Sequence, residues 1–459
     1  MKKMKKILIL GAGISGLAAV QYFQDKADLL IILDEKNSES PKSFAKNFPE
    51  NILFIQKLTA EILSQLDPGE LVIASPGFES DGLVLTSCRQ AGLKITSDLD
   101  LFGQLAQVPI VAITGTNGKS TVTKMVSEMI QVCGKKVKTG GNFGVSPLAF
   151  LNQESPDFYI PDFYVLEISS AQMELANNLK PYVSAYLNLS PNHLDRHKTM
   201  EIYRDLKEKL LKQSQYQIIL KSLKTKSIFP DFLSFGESEF NGERGDFYLD
   251  PVSQYLKYQD LDLIPRKNLA NPEAHNVLNG LAALGIIKIL GLDLIQACEV
   301  LKTYQPLPHR TERVGIINGV KYINDSKGTT IGATVRAIES FSQEGEIILI
   351  LGGDGKDQDF KDLKNIFDQK VSQSFVYGRD RELISRALLD LNSNSNSEKI
   401  TQKITQVETL KEAVDLASQA AKSGQIILFS PACASWDQFK NYSHRGECFK
   451  EFLKQHWGF

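Results

Sequence analysis

Ile110-Val111-Ala112-Ile113 runs directly into Thr114-Gly115-Thr116-Asn117-Gly118-Lys119-Ser120-Thr121, and a helical pattern follows as far as Val132. A short apolar strand, a glycine turn ending in Gly-Lys-Ser-Thr and a helix together read as a P-loop. In such a loop the backbone N–H groups of Gly115, Thr116, Asn117 and Gly118 cradle phosphate oxygens. Lys119 supplies a point charge for the β- and γ-phosphates, and the hydroxyl of Ser120 or Thr121 can ligate Mg²⁺. The first glycine of the common pattern falls at Ile113, so this loop is a variant.

The same alternation continues on both sides. Apolar runs at residues 7–10, 29–33, 71–74, 164–168, 347–351 and 426–429 alternate with longer helical patterns, the signature of an α/β chain with mostly parallel sheets. Breaks at residues 104–109 and at Gln305-Pro306-Leu307-Pro308 divide it into domains spanning 1–105, 106–307 and 308–459. Residues 314–317 and 320–323 flank Asn318-Gly319, which predicts a type I′ hairpin and an antiparallel edge in the last domain. The Asn/Ser-rich stretch 392–397 reads as a surface loop.

Composition narrows the function. With 459 residues, 42% hydrophobic and 23% charged, the chain is an ordinary globular protein. Its formal charge of -2 steers nothing toward nucleic acid, so small ligands are the expected partners. Five cysteines at wide spacing, Cys88, Cys133, Cys298, Cys433 and Cys448, fit neither a disulfide framework nor a zinc cluster, and a reducing cytoplasm is expected. The basic start followed by residues 7–20 resembles a signal peptide only superficially, because three glycines interrupt the apolar run. No stretch reaches the roughly 20 apolar residues of a membrane span.

Other motifs are read against plainer alternatives. Gly11-Ala12-Gly13-Ile14-Ser15-Gly16 with Asp34 at the end of the next strand matches the dinucleotide fingerprint, yet a helix N-terminus attracts any phosphate, so NAD, FAD and other nucleotides all remain open. Ser75-Pro76-Gly77 can close the same pocket or be a plain turn. Glu167 in Glu167-Ile168-Ser169-Ser170 stands where an Mg²⁺ bridging ATP oxygens would sit, although a strand-end Glu is more often solvated. His193 in His193-Leu194-Asp195-Arg196-His197 is a metal or substrate contact or a structural residue. Lys207 lies in an amphipathic helix over 199–212, where a lysine is normally on the solvated face; conversion of its amine to a carbamate would make it anionic and carboxylate-like. In the last domain His309-Arg310, Asp325-Ser326-Lys327-Gly328-Thr329, Gly352-Gly353-Asp354-Gly355-Lys356 and Ser430-Pro431-Ala432-Cys433-Ala434-Ser435-Trp436-Asp437 all mark loops, several at strand ends. Their cations suit an anionic substrate or ATP phosphates. Cys433 reads as a buried small hydrophobe rather than a nucleophile.

The ordered set of these motifs, with His275-Asn276-Val277-Leu278-Asn279, Asn188 to Arg196 and Arg445-Gly446, resembles the Mur ligase family over the whole chain. The resemblance implies a Rossmann-like N-terminal domain, a central P-loop ATPase-like domain and a Rossmann-like C-terminal domain. It implies ATP-dependent addition of D-glutamate to UDP-N-acetylmuramoyl-L-alanine through an acyl phosphate, in cytoplasmic peptidoglycan precursor synthesis, by a monomer that engages neither nucleic acid nor membrane. Sibling ligases adding L-alanine, a diamino acid or folate glutamates, an NAD-dependent oxidoreductase and a nucleotide-dependent scaffold are the competing classes.

Residue by residue, the resemblance implies that Ile14, Ser15, Asp34, Glu35, Ser75 and Gly77 hold the uridine nucleotide, with Asn142, Ser169 and His193 beside the muramoyl part. Lys119, Ser120 and Thr121 hold ATP and Mg²⁺, with Asn276, Asn279, Arg310 and Asp325 lining the ATP site. Glu167 and His193 ligate magnesium, two ions in all, with Lys207 as a carbamylated lysine. Lys327, Thr329, Lys356, Ser435 and Tyr442 take D-glutamate. The interval from His193 to Lys207 is one residue shorter than in the pattern, Asp205-Leu206 replaces small residues, and Trp436 and Tyr442 replace an aliphatic residue and a Phe.

Overall fold

The computed structural model describes residues 4–34, 51–142, 144–153, 158–226, 232–236, 245–355, 358–389 and 403–457. They form two compact units, residues 1–272 with 276–304, and residues 305–459 with 273–275.

The first unit contains two sheets. Strands β1 (Met4–Leu10), β2 (Ala27–Leu33), β3 (Ile52–Ile55), β4 (Leu71–Ala74) and β5 (Lys94–Thr96) are ordered β3-β2-β1-β4-β5, all parallel. Residues Ile7 to Leu10 are wholly buried, as expected of a central parallel strand covered on both faces. Chain order reverses between β1 and β4, and ligands gather beyond the carboxyl ends of strands at such a point. Gly11 follows β1 and Ser75 follows β4, so both glycine and serine turns open there.

The second sheet comprises β6 (Ile110–Thr114), β7 (Val137–Gly141), β8 (Phe163–Glu167), β9 (Val183–Tyr186), β10 (Tyr216–Leu220), β11 (Leu233–Gly236), β12 (Phe247–Leu249), β13 (Tyr255–Tyr258) and β14 (Leu261–Pro265). Its order is β14-β13-β12-β11-β10-β9-β6-β8-β7. The β6 strand is flanked by β8 and β9, and the helix Lys119–Val132 leaves its end. That helix buries Val122, Met125, Val126, Met129 and Ile130 in the core cluster that also takes in Val111 and Ile113, the 3.6-residue spacing of an apolar stripe. The antiparallel ribbon β12 to β14 was not foreseen from the sequence, because its alternation is broken by a bulge at Leu256/Lys257 and a proline at Pro265.

In the second unit β15 (Glu312–Ile317), β16 (Val320–Asn324), β17 (Ile347–Gly352), β18 (Val371–Tyr377), β19 (Ile404–Gln406) and β20 (Ile426–Phe429) are ordered β15-β16-β20-β17-β18-β19. The expected hairpin is present: β15 pairs antiparallel with β16, and Asn318 and Gly319 have φ of 51° and 77°, the left-handed pair of a type I′ turn. Placing β20 between β16 and β17 gathers the loops after all three strands at one end of the sheet. The stretch 392–397 lies outside the described residues. Among the described residues no helix is long and apolar enough to cross a membrane.

Candidate active site

Gly118 closes the P-loop as the N-cap of the helix Lys119–Val132, with φ of 81° and no side-chain cap. A Cβ there would lie 2.5 Å from Asn279 Oδ1, so glycine serves both the left-handed backbone and the close approach of Asn279. The loop is tied to the segment after β9. Asn117 N donates to Asn188 Oδ1 at 2.9 Å, Asn188 Nδ2 donates to Asn117 O at 3.0 Å, and Thr116 Oγ1 donates to Ser190 O at 3.1 Å. Asn276 lines a small cavity with Asn271, Tyr304 and Met125.

Three polar side chains meet beyond β6 and β8. Ser120 Oγ hydrogen-bonds to the carboxylate of Glu167, and Asn142 Nδ2 donates to the other oxygen at 2.7 Å. Glu167 is 3% exposed, so the plainer reading of a solvated strand-end carboxylate is corrected: the parallel neighbours β6 and β7 enclose it. Gly141, at φ 102°, lets the backbone of Asn142 reach Glu167, whose carbonyl accepts Asn142 N at 2.8 Å.

Lys207 departs furthest from a surface lysine. It is 1% exposed and donates to Gly115 O at 3.0 Å. Thr199 caps its helix (Met200–Lys212), and the buried positions Tyr203, Lys207, Leu210 and Leu211 form one stripe. Lys207 therefore sits on the apolar face, and the altered spacing from His193 and the Asp205-Leu206 pair still leave it at the loop. Burial, and then the charge of Lys119, push its pKa well below the usual lysine value, with Glu167 opposing. Tyr203, one turn earlier, has its ring 4.4 Å from Lys207 Nζ and donates from its hydroxyl to Thr116 Oγ1 at 3.3 Å. The sequence reading missed Tyr203; its (i, i+4) spacing to Lys207 was the available signal.

His193 is exposed and left-handed, φ 55°, at the start of the turn Leu194–His197; its ring lies 6.3 Å from that of Tyr203. Ser169 caps the short helix Ser170–Met173 through a capping box with Gln172. Thr121 lies in the first turn of the P-loop helix, its carbonyl 3.4 Å from Tyr304 OH.

At the first sheet, Gly11 (φ 94°) and Gly16 pack so closely that a Cβ on Gly16 would overlap the Gly11 carbonyl. Asp34 accepts a bond from Ala12 N at 2.9 Å. Ser75 Oγ lies beside Gly11, buried and with no hydrogen-bond partner. Ile14 is 65% exposed at the helix start, with Ser15 half-buried next to it, and no neighbour crowds Gly77. Glu35 lies outside the described residues.

The second unit assembles a separate set. Asp325 is buried at the end of β16, accepting Ser430 Oγ at 2.7 Å and Thr311 N at 3.1 Å. Burial raises its pKa to about 6 against the pull of those bonds and of Arg310 and Arg445. Lys327 Nζ stands 3.9 Å over the Tyr442 ring. Arg445, wholly buried, donates to Ser326 O at 2.8 Å, Cys433 O at 3.0 Å and Ala434 O at 3.1 Å. It thereby fixes the loop of Lys327 and Thr329 against the loop of Ser435. Ser435 is 3% exposed and Trp436 66% exposed. Cys433 is buried, and burial raises its pKa, in keeping with a packing role. Lys356 lies outside the described residues.

Three family models match the chain in succession: the Mur ligase MurD-like N-terminal domain over residues 5–97, the Mur ligase middle domain over 113–287, and the Mur ligase glutamate ligase domain over 309–433. The chain belongs to the Mur ligase family. This Mur ligase is 35% identical over 456 residues to UDP-N-acetylmuramoylalanine--D-glutamate ligase of Legionella pneumophila (strain Lens), covering 97% of this chain and 98% of the relative. The protein of that name from Hydrogenovibrio crunogenus is 35% identical over 455 residues, covering 98% and 97%. In fold the Mur ligase chain matches the UDP-N-acetylmuramate-alanine ligase MurC of Thermotoga maritima, with TM-score 0.60, 18% identity and coverage of 98% and 99%. It also matches a pseudomurein peptide ligase type C from Methanothermus fervidus, with TM-score 0.60, 16% identity and coverage of 98% and 99%.

Proposed function

We propose that this Mur ligase is the D-glutamate-adding enzyme, joining D-glutamate to UDP-N-acetylmuramoyl-L-alanine at the expense of ATP, in the cytoplasm and as a monomer of three domains, 1–105, 106–307 and 308–459. The observation that carries the reading is the P-loop of Lys119 and Ser120 facing Glu167 and a buried Lys207, on a chain 35% identical along 97% of its length to ligases of that name.

Residues of the site fit ATP and Mg²⁺. Gly118 leaves the helix N-terminus without a side-chain cap, which suits phosphate oxygens. Ser120 and Glu167 offer a hydroxyl and a carboxylate, the hard donors magnesium takes. Among the described residues no cluster of three or more His, Cys, Asp or Glu side chains is assembled to hold a metal. Mg²⁺ fits such a sparse set, because it keeps waters and substrate phosphates as ligands. Ser120, Glu167, His193 and a carbamylated Lys207 would hold two ions, which when bound neutralise phosphate charge.

A carboxylate and an amine do not condense in water unaided. The substrate carboxylate displaces ADP from the γ-phosphorus, giving an acyl phosphate, and the amine of D-glutamate then displaces phosphate from the acyl carbon with loss of a proton. Two anions meet in the first step, so the protein's task is electrostatic. Lys119 offsets phosphate charge, the loop amides hold the oxygens, and Asn142 fixes the Glu167 carboxylate. Lys327, Thr329, Lys356, Ser435 and Tyr442 would hold D-glutamate, and Arg310, Asp325, Asn276 and Asn279 the nucleotide. Ile14, Ser15, Asp34, Glu35, Ser75 and Gly77 would hold the uridine nucleotide, with Asn142, Ser169 and His193 at the muramoyl end; the unpartnered Ser75 hydroxyl suits a polar ligand at that strand end.

ADP release measured against a panel of amino acids and UDP-sugar acceptors tests the assignment. Turnover is expected only with D-glutamate and UDP-N-acetylmuramoyl-L-alanine together, and strict dependence on another pair overturns it.

A further inference from the structure

Arg196 belongs to none of the groups assigned above, yet it uses four of its N–H donors within one small region. Nε and Nη2 grip Glu174 at 2.6 and 2.9 Å, Nη1 donates to Pro76 O at 2.6 Å, and Nη2 donates to Phe78 O at 3.1 Å. Both charged side chains are largely sequestered, 19% and 10% exposed. Glu174 completes the contact by accepting Ser80 N at 3.3 Å. Its neighbour Leu175 packs against the apolar cluster of the first sheet that contains Leu8 and Leu10.

The two ends of this bridge lie beside functional loops. Pro76 is the centre of the Ser75-Pro76-Gly77 turn. Arg196 itself sits in the single helical turn Leu194–His197, which begins at a left-handed His193 and ends at Lys198, both with positive φ, 55° and 64°. Non-glycine residues persist in that conformation only where the surroundings over-determine them. Arg196 and His197 supply the constraint, His197 by bonding Ser170 at 2.9 Å and approaching Glu174 at 3.6 Å.

We propose that Arg196 is a positioning residue that couples the 75–77 loop to the turn presenting His193, so that seating the uridine-nucleotide end of the substrate sets His193 in place. The inference rests on the functional reading given above. A planar guanidinium with four directed bonds transmits a displacement of the Pro76 and Phe78 carbonyls to the turn; a lysine, whose ammonium is a point charge with three donors, cannot hold the same geometry. Coupling of this kind is reciprocal, so disturbing the turn weakens nucleotide binding at the loop.

Steady-state kinetics of Arg196→Lys and Glu174→Gln test the proposal. For Arg196→Lys the KM for UDP-N-acetylmuramoyl-L-alanine is expected to rise roughly tenfold to a hundredfold, the scale of a small misplacement near a reacting group, with a smaller rise for ATP through His193, while the KM for D-glutamate stays within about twofold. UDP binding by calorimetry should weaken in parallel. The double variant should be no worse than the poorer single one, since the two side chains act as a unit. A fall in Tm with all three KM values unchanged, equal shifts in all three, or additive effects in the double variant would overturn the proposal. Glu174→Gln preserves the guanidinium on its two carbonyls and carries the test if Arg196→Lys does not fold. Wild-type turnover with normal kinetics in both variants removes this inference alone; absence of turnover in the wild type removes the functional reading and the inference with it.

Discussion

Lys119 and Lys207 donate to the same oxygen: each Nζ lies 3.0 Å from the carbonyl of Gly115. Burial first, and then repulsion between two ammonium groups converging on one acceptor, push the pKa of Lys207 well below the usual lysine value. The neutral amine is the form that reacts with CO₂, and a lowered pKa makes that form easier to reach, which gives the proposed carbamate a physical origin in the loop geometry.

The lowered pKa of native Lys207 leaves a mark on stability. Between its depressed pKa and about 10.4, the ordinary lysine value, the unfolded chain binds one proton more than the native chain, so stability rises with pH across that window. The Tm of wild type should therefore climb toward alkaline pH more steeply than that of Lys207→Met, and equal slopes would count against a neutral amine. In ¹³C-bicarbonate the wild type should also show one carbamate carbon resonance that Lys207→Met lacks.

The P-loop makes two separable demands. Lys119→Ala removes the charge and should lower ATP turnover by at least ~10²- to 10³-fold, the usual loss for one well-placed electrostatic donor, with little change in Tm. Gly118→Ala keeps the charge but places a Cβ 2.5 Å from Asn279 Oδ1 at φ 81°. It should cost about 1–2 kcal/mol in stability from the left-handed backbone alone and weaken ATP binding as well. Undiminished turnover in Lys119→Ala would sink the assignment of the loop.

Asp325 titrates in the opposite sense to Lys207. Its native pKa of about 6 exceeds the unfolded value of about 3.9, so between these values the native chain binds more protons and stability falls as pH rises. The difference corresponds to about 2–3 kcal/mol. In Asp325→Asn that decline between pH 4 and 6 should largely vanish from the denaturation profile, and a slope matching wild type would show that the carboxyl is not the titrating group.

Strand–turn–helix order was legible in the sequence wherever a covered parallel strand produces an unbroken apolar run, as at Ile7 to Leu10 or Ile110 to Ile113, and wherever a turn demands glycine, as at Gly118 or Asn318-Gly319. Motifs contiguous in the chain, above all Thr114 to Thr121, carried their chemistry openly because one loop supplies all the groups. Burial was less visible: Glu167 and Lys207 read as surface charges until neighbouring strands and the stripe of Tyr203, Leu210 and Leu211 enclosed them. The contacts that join distant segments were not visible at all. Asn188 on Asn117, Arg196 on Pro76 and Phe78, and Arg445 on Ser326 depend on which loops the sheet order brings side by side, and a hydrogen bond across 70 or more residues leaves no periodicity to read. The sequence by itself determined the elements and the phosphate loop, since both arise from interactions between near neighbours. Tertiary structure alone decided which charges lose their water and which loops share a single guanidinium, because desolvation and directional bonding belong to the packed arrangement and not to the chain.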